Sequence, residues 1–134
     1  MSVDVLMITY DRAEYVALSL PRLLSSCGPT DRVWLWHNGD DRPTLDAVSE
    51  HLDHPRVHEF HHSPENKRLR EPTNWLWTHA TGDFVAKVDD DCLVAEDWID
   101  RLSTVHAAHD RFGALGSWRF HDDELVEDAF TRKV

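Results

Sequence analysis

Four short apolar runs, at residues 3–8, 33–36, 57–60 and 84–88, recur along the chain with helix-length segments between them. Runs of this length, rich in Val, Ile, Phe and Trp, read as strands. Joining such strands through helical segments favours parallel pairing, with the helices packed over the sheet. The expected fold is therefore α/β, layered around a largely parallel sheet.

The connecting segments fill in the rest. Asp11 and Glu14 read as a helix cap and its partner, opening a helix that carries Tyr15, Leu18, Leu23 and Leu24. Pro21 is expected to kink or split that helix, because it removes a backbone donor. Leu45, Val48 and Leu52 give helical spacing over residues 44–52. Residues 61–72 read as a charged loop containing Lys67, Arg68 and Arg70. A short helix over 74–80 is closed by Gly82, and a longer one over 96–109 turns Ile99, Leu102 and Val105 inward. Residues 113–120 read as a fifth strand and 121–134 as an acidic tail. The six tryptophans read mostly as packing residues, with Trp34 and Trp36 on one face of a strand.

Composition limits the function classes. At 134 residues the chain is one domain, and 41% hydrophobic with 29% charged residues suits a globular protein. No apolar stretch approaches the roughly 18–20 residues that span a bilayer, and no secretory leader is visible. A net charge of −11 argues against nucleic acid as a partner. The two cysteines, Cys27 and Cys92, have no paired spacing, so a reduced cytoplasmic setting is expected.

Polarity concentrates after the strands. Thr9-Tyr10-Asp11 follows the first, Asn38-Gly39-Asp40-Asp41 the second, and Asp89-Asp90-Asp91 the fourth. Ligands of open parallel sheets bind at these carboxyl ends, and a nucleotide fits such a crevice. With five glycines and neither G-x-G-x-x-G nor a Walker loop, a glycine-rich phosphate cradle is excluded. The remaining device is a hard divalent cation, Mg²⁺ or Mn²⁺, on the aspartates, aided by Arg68 or Arg70. Alternation along a strand would turn Asp89 and Asp91 one way and Asp90 another.

Four pieces, in order, resemble glycosyltransferase family 2. The stretch Val5-Leu6-Met7-Ile8-Thr9-Tyr10-Asp11-Arg12 is similar to the family's opening strand. Trp36-His37-Asn38-Gly39-Asp40-Asp41 resembles its second-strand turn, and residues 82–91 its approach to an Asp-x-Asp motif. Glu96-Asp97-Trp98 resembles the start of its next helix. The likeness covers about residues 3–120 and implies a GT-A fold, a Rossmann-like three-layer α/β/α arrangement. It implies transfer of a sugar, with inversion and metal assistance, from a nucleoside-diphosphate sugar to an acceptor hydroxyl. Thr9, Tyr10 and Arg12 would then line the nucleotide site, with Asn38 near the base and Arg70 near the base or diphosphate. Asp90 would meet the ribose or donor sugar, and Asp91 would hold the metal with Asp89 close by. His37 stands where the family usually has an acidic residue, and Lys87 interrupts an apolar strand.

Family members continue well beyond this length, into the acceptor site and the catalytic carboxylate. Residues 1–120 are thus expected to be the donor-binding domain, and 121–134 the start of an acceptor-binding part. Asp122, Asp123, Glu127 and Asp128 read as a solvated tail, and the general base is unassigned. So short a sheet could need a partner along its edge, such as a second copy of the chain.

Two other readings compete. One is a non-catalytic nucleotide-binding module. The other is a zinc hydrolase through His58-Glu59-Phe60-His61-His62, formally H-E-x-x-H. That chemistry needs a helix, whereas extended backbone puts the outer histidines roughly 13 Å apart.

Overall fold

A computed structural model describes residues 1–116. In chain order it has β1 (Val3–Thr9), α1 (Ala13–Ser26), β2 (Arg32–Asn38), α2 (Arg42–Ser49), β3 (Val57–Ser63), α3 (Arg70–His79), β4 (Phe84–Asp89) and α4 (Trp98–Ala108). The strands form one sheet in the order β3-β2-β1-β4, and every pairing is parallel.

The central strands β1 and β2 are buried on both faces, which is why they read as unbroken apolar runs. Val3, Val5 and Met7 join Val33 and Leu35 on one face. They pack there on Val16, Leu20, Leu23 and Leu24 of α1, Val48 of α2 and Ile99 of α4. Leu6, Ile8, Trp34 and Trp36 look the other way, onto Leu76 of α3. Trp75 closes that second core edge-on, 5.3 Å from Trp34 and 5.5 Å from Trp36 between ring centroids. Helices therefore cover both faces of the sheet, as expected.

One buried carboxylate ties the start of β1 to its neighbours. Asp4 is fully buried yet accepts five hydrogen bonds. Arg32 donates two at 2.7 Å, Trp34 Nε1 one at 3.0 Å, and the Thr81 and Gly82 amides one each at 2.9 and 2.8 Å. Burial pushes its pKa up, but these donors outweigh burial and hold it below the usual carboxylate value.

Several local expectations are corrected. Asp11 does not cap α1: its φ is +43°, the cap position falls on Arg12, and no side chain caps the helix there. Pro21 does not split α1, which runs on through residue 26. The carbonyl that proline leaves without a donor is that of Ala17, which is exposed and can bond water. Tyr15 and Leu18 of α1 face solvent. The second helix starts earlier than expected, at Arg42. Asp41 is its cap and accepts from the Thr44 amide at 3.1 Å. The third also starts early, so Arg70 opens a helix rather than sitting in a loop.

Gly82 lies two residues beyond the Ala80 cap of α3. A side chain there would meet Asp4 Oδ2 and the Ser2 carbonyl at 3.1 Å. Close approach, not a left-handed turn, accounts for glycine at that point. The inner face of α4 is Ile99 and Ser103, whereas Val105 is exposed. Residues 113–116 carry no regular structure, and the rest of the expected fifth strand and tail lies outside the described residues.

The H-E-x-x-H segment is strand β3, not helix. The extra residue of a bulge at His58 lets its ring reach Trp34, at 4.6 Å between centroids, while His61 stacks on Trp36 at 4.1 Å. His62 Nε2 is hydrogen-bonded to the Gly39 carbonyl at 2.8 Å. The outer histidines thus have separate partners and share no site.

Candidate functional site

The carboxyl ends of β1, β2 and β4 open into a cleft of about 420 Å³. Its wall includes Tyr10, Arg12, Asn38, Arg68, Asp89, Asp90 and Asp91, together with Ile8, Asn66 and Leu69. Another hollow of about 320 Å³ shares Tyr10 and Asn66 with this cleft and is otherwise lined by Asp11, Gly39, Asp40, Asp41 and Pro64. Gly39 borders the Tyr10 ring with φ +90°, a backbone conformation that favours glycine, and a Cβ there would reach the ring only at ordinary contact distance, 3.4 Å.

The aspartates occupy a turn, because the Cys92 amide donates to the Asp89 carbonyl at 3.1 Å and closes β4. Asp89 and Asp91 are exposed while Asp90 is buried. The separation anticipated from strand alternation therefore holds, although a turn produces it. Asp90 Oδ2 accepts the Tyr10 amide at 3.3 Å, and its carbonyl accepts the Ser19 hydroxyl at 2.6 Å. Burial raises the Asp90 pKa, and its acidic neighbours add to this. The Tyr10 amide and Arg12 oppose the rise.

Among the described residues, two cations serve the cluster. Arg12 Nη1 lies 2.8 Å from Asp91 Oδ2 and 3.6 Å from Asp90 Oδ1. Lys87, two residues before Asp89 on the same face of β4, pairs with Asp89 Oδ1.

The exposed carboxylates fit a hard divalent cation. Single donor atoms of Asp89, Asp91 and Cys92 all lie within 4.8 Å of one another. The two oxygens suit Mg²⁺ or Mn²⁺. Burial and the nearby charges of Asp91 and Asp89 raise the Cys92 pKa.

Other residues singled out from the sequence fall outside the cleft wall. Thr9 is buried, with Oγ1 hydrogen-bonded to His37 Nδ1 at 2.8 Å. Burial lowers the His37 pKa, against the nearby charge of Asp41. His37 Nε2 lies 3.3 Å from Asp41 Oδ1 and has no hydrogen-bond partner among the described residues. Arg70 is not in the wall; Arg68 takes that position, with φ +57°.

Asn38 reaches the cleft but has its amide committed. Oδ1 accepts from Trp36 Nε1 and the Lys67 amide, both at 2.9 Å, and Nδ2 donates to the Arg68 carbonyl at 3.0 Å. It clips the 66–69 segment to β2. Sequence reasoning missed this role, and also missed Asn66 and Leu69. The only signal was the density of turn-forming and polar residues after β3.

This topology and site define the class first: the chain has the GT-A fold of nucleotide-sugar glycosyltransferases. The family model for glycosyl transferase family 2 matches residues 4–133, and the chain belongs to that family. No curated protein matches it. Among solved structures, S. aureus TarS 1–349 is similar at a TM-score of 0.70 and 18% identity, over 89% of this chain and 39% of that one. Its complex with UDP gives 0.71 and 18%, over 89% and 38%. The mannosyltransferase PcManGT from Pyrobaculum calidifontis, in complex with GDP-Man and Mn²⁺, gives 0.69 and 24%, over 78% and 32%. The chain therefore spans well under half the length of these proteins.

Proposed function

We propose that this chain is the donor-binding part of a glycosyltransferase that takes a sugar from a nucleoside diphosphate and passes it, with inversion, to an acceptor hydroxyl. The observation that carries the reading is the cleft itself. It lies at three strand ends, with an acidic turn on one side and Arg68 on the other. Membership of glycosyl transferase family 2 supports it, as do the nucleotide-sugar and Mn²⁺ complexes of proteins with the same fold.

Asp89 and Asp91 would hold Mg²⁺ or Mn²⁺. The bound ion supplies Lewis-acid stabilisation of charge on the departing diphosphate. Tyr10 offers an exposed ring against which a nucleoside can lie, and Arg68 offers a fork of donors to phosphate oxygens. Asp90, buried and anchored by Tyr10 and Ser19, fixes the turn that presents its neighbours. No general base is assigned.

The test is a thermal-shift panel of UDP, GDP, dTDP and CDP, each with and without Mn²⁺. A ligand of the folded state contributes about 2.7 kcal/mol at a hundredfold excess over its Kd. Metal-dependent stabilisation by one nucleotide is expected and names the base. No shift from any combination would sink the proposal. Release of free nucleoside diphosphate from the matching sugar donor separates turnover from binding alone, and the anomeric configuration of the product tests inversion.

A further inference from the structure

We infer that Arg12 and Lys87 are built-in counter-ions of the Asp89–Asp91 pair, and that they weaken its hold on a divalent cation until a nucleoside diphosphate draws them away. The inference rests on the donor-site reading above and adds an order of events to it.

Each carboxylate in the candidate metal set already has a cation of this chain. Lys87 holds Asp89 from the same strand, and Arg12 reaches Asp91 and Asp90 from the start of α1. Three carboxylates and two cations leave the cluster with one net negative charge. A bound Mn²⁺ would turn this into one net positive charge in a small cleft, unless a cation withdraws.

The Arg12 pairing is built to be released. Arg12 makes its one short contact through a single nitrogen, and the two side chains are 48% and 42% exposed. Exposed pairs of this kind are weak. The contrast with Asp4 is within the same molecule: there Arg32 binds through two nitrogens and the carboxylate is fully buried. A diphosphate entering between Asp91 and Arg68 brings the negative charge that gives Arg12 and Lys87 a new partner. Metal and nucleotide therefore bind cooperatively, and by linkage each raises the affinity for the other by the same factor.

The experiment measures Mn²⁺ binding by loss of the free-ion electron paramagnetic resonance signal. It uses wild type, Arg12→Gln and Lys87→Met, without nucleotide and with the nucleoside diphosphate selected by the thermal-shift panel. Without nucleotide, each variant is expected to bind Mn²⁺ about three- to tenfold more tightly, as a competing and repelling charge is removed. With nucleotide the advantage shrinks or reverses, so the coupling between the two ligands falls. A merely structural role for either residue would weaken Mn²⁺ binding instead.

Lys87→Met carries the test alone if Arg12→Gln does not fold. Unchanged or weaker Mn²⁺ binding by the folded variants, beside a wild type that binds Mn²⁺ and nucleotide together, overturns the counter-ion role and leaves the donor site standing. A wild type that binds neither ligand, alone or together, overturns both.

Discussion

Asp4 and His37 are both fully buried and titratable, yet one is held charged and the other neutral. Asp4 is kept ionised: burial works against its charge, and the Arg32, Trp34, Gly82 and Thr81 donors overcome it. Its folded pKa is depressed, so its contribution is complete above the unfolded value of about 3.9 and is lost as pH falls through the folded value. His37 is kept neutral, mainly by burial. Its folded pKa is also depressed, so the unfolded chain takes up a proton first, below about pH 6.5, and stability falls from there. Urea unfolding from pH 7.5 to 3 should show two losses, one starting near 6.5 and one below about 4. His37→Gln should flatten the first and leave the second. Asp4→Ala strands four donor groups and should cost about 3 kcal/mol at pH 7. A loss under 1 kcal/mol would mean that water replaces the carboxylate.

Asn38 makes a second prediction at the same scale. In Asn38→Asp the Nδ2 donor becomes an oxygen facing the Arg68 carbonyl, while both bonds to Oδ1 survive. A buried acceptor without a donor costs about 1–3 kcal/mol. Freeing Arg68 should also weaken nucleotide binding while Mn²⁺ binding to the free protein is unchanged. Equal weakening of both would place Asn38 in the metal site rather than behind the loop.

At the level of elements, α1 carries a proline in its interior and pays for it at one solvent-facing carbonyl. Pro21→Ala restores the donor to Ala17 and removes the ring clash. The gain is reduced because alanine frees the unfolded chain. A net stabilisation of about 1–2 kcal/mol in chemical denaturation is expected, since Pro21 lies in the helix interior. A loss would mean that the pyrrolidine ring packs well enough to outweigh the missing bond.

The same helix shows what a sequence can and cannot carry. The strands were legible because β1 and β2 are buried on both faces and so lack polar interruptions. Their parallel order followed from the helices between them. The α1 cap was not legible, because Asp11 looks like a cap in sequence while its own amide donates to Asp41 Oδ1 at 3.3 Å across the fold. The start of α3 was hidden by charge: Lys67, Arg68 and Arg70 read alike, and only the clip from Asn38 decides which arginine faces the cleft. Tyr10, Arg12 and the aspartates were found because they follow strands directly. Asn66 and Leu69 were missed because they reach the site through a loop whose path depends on long-range bonds.

Across the whole molecule the charge is −11 with the histidines neutral, yet the proposed ligands are a cation and an anion sharing one cleft. The net field draws Mn²⁺ in and pushes a nucleotide away, while Arg12 and Lys87 act locally in the opposite sense. These contributions separate by range. Raising ionic strength from about 0.01 to 0.1 M shortens the screening length from about 30 to 10 Å. That suppresses the distant charges and spares contacts of 2.8 Å such as Arg12 to Asp91. Mn²⁺ binding to the free protein should therefore weaken with salt, and nucleotide binding without metal should strengthen. Paired titrations at the two salt concentrations check the signs. If both weaken together, the local cations dominate the approach of the nucleotide, and the acidic surface has no part in making the site depend on its metal.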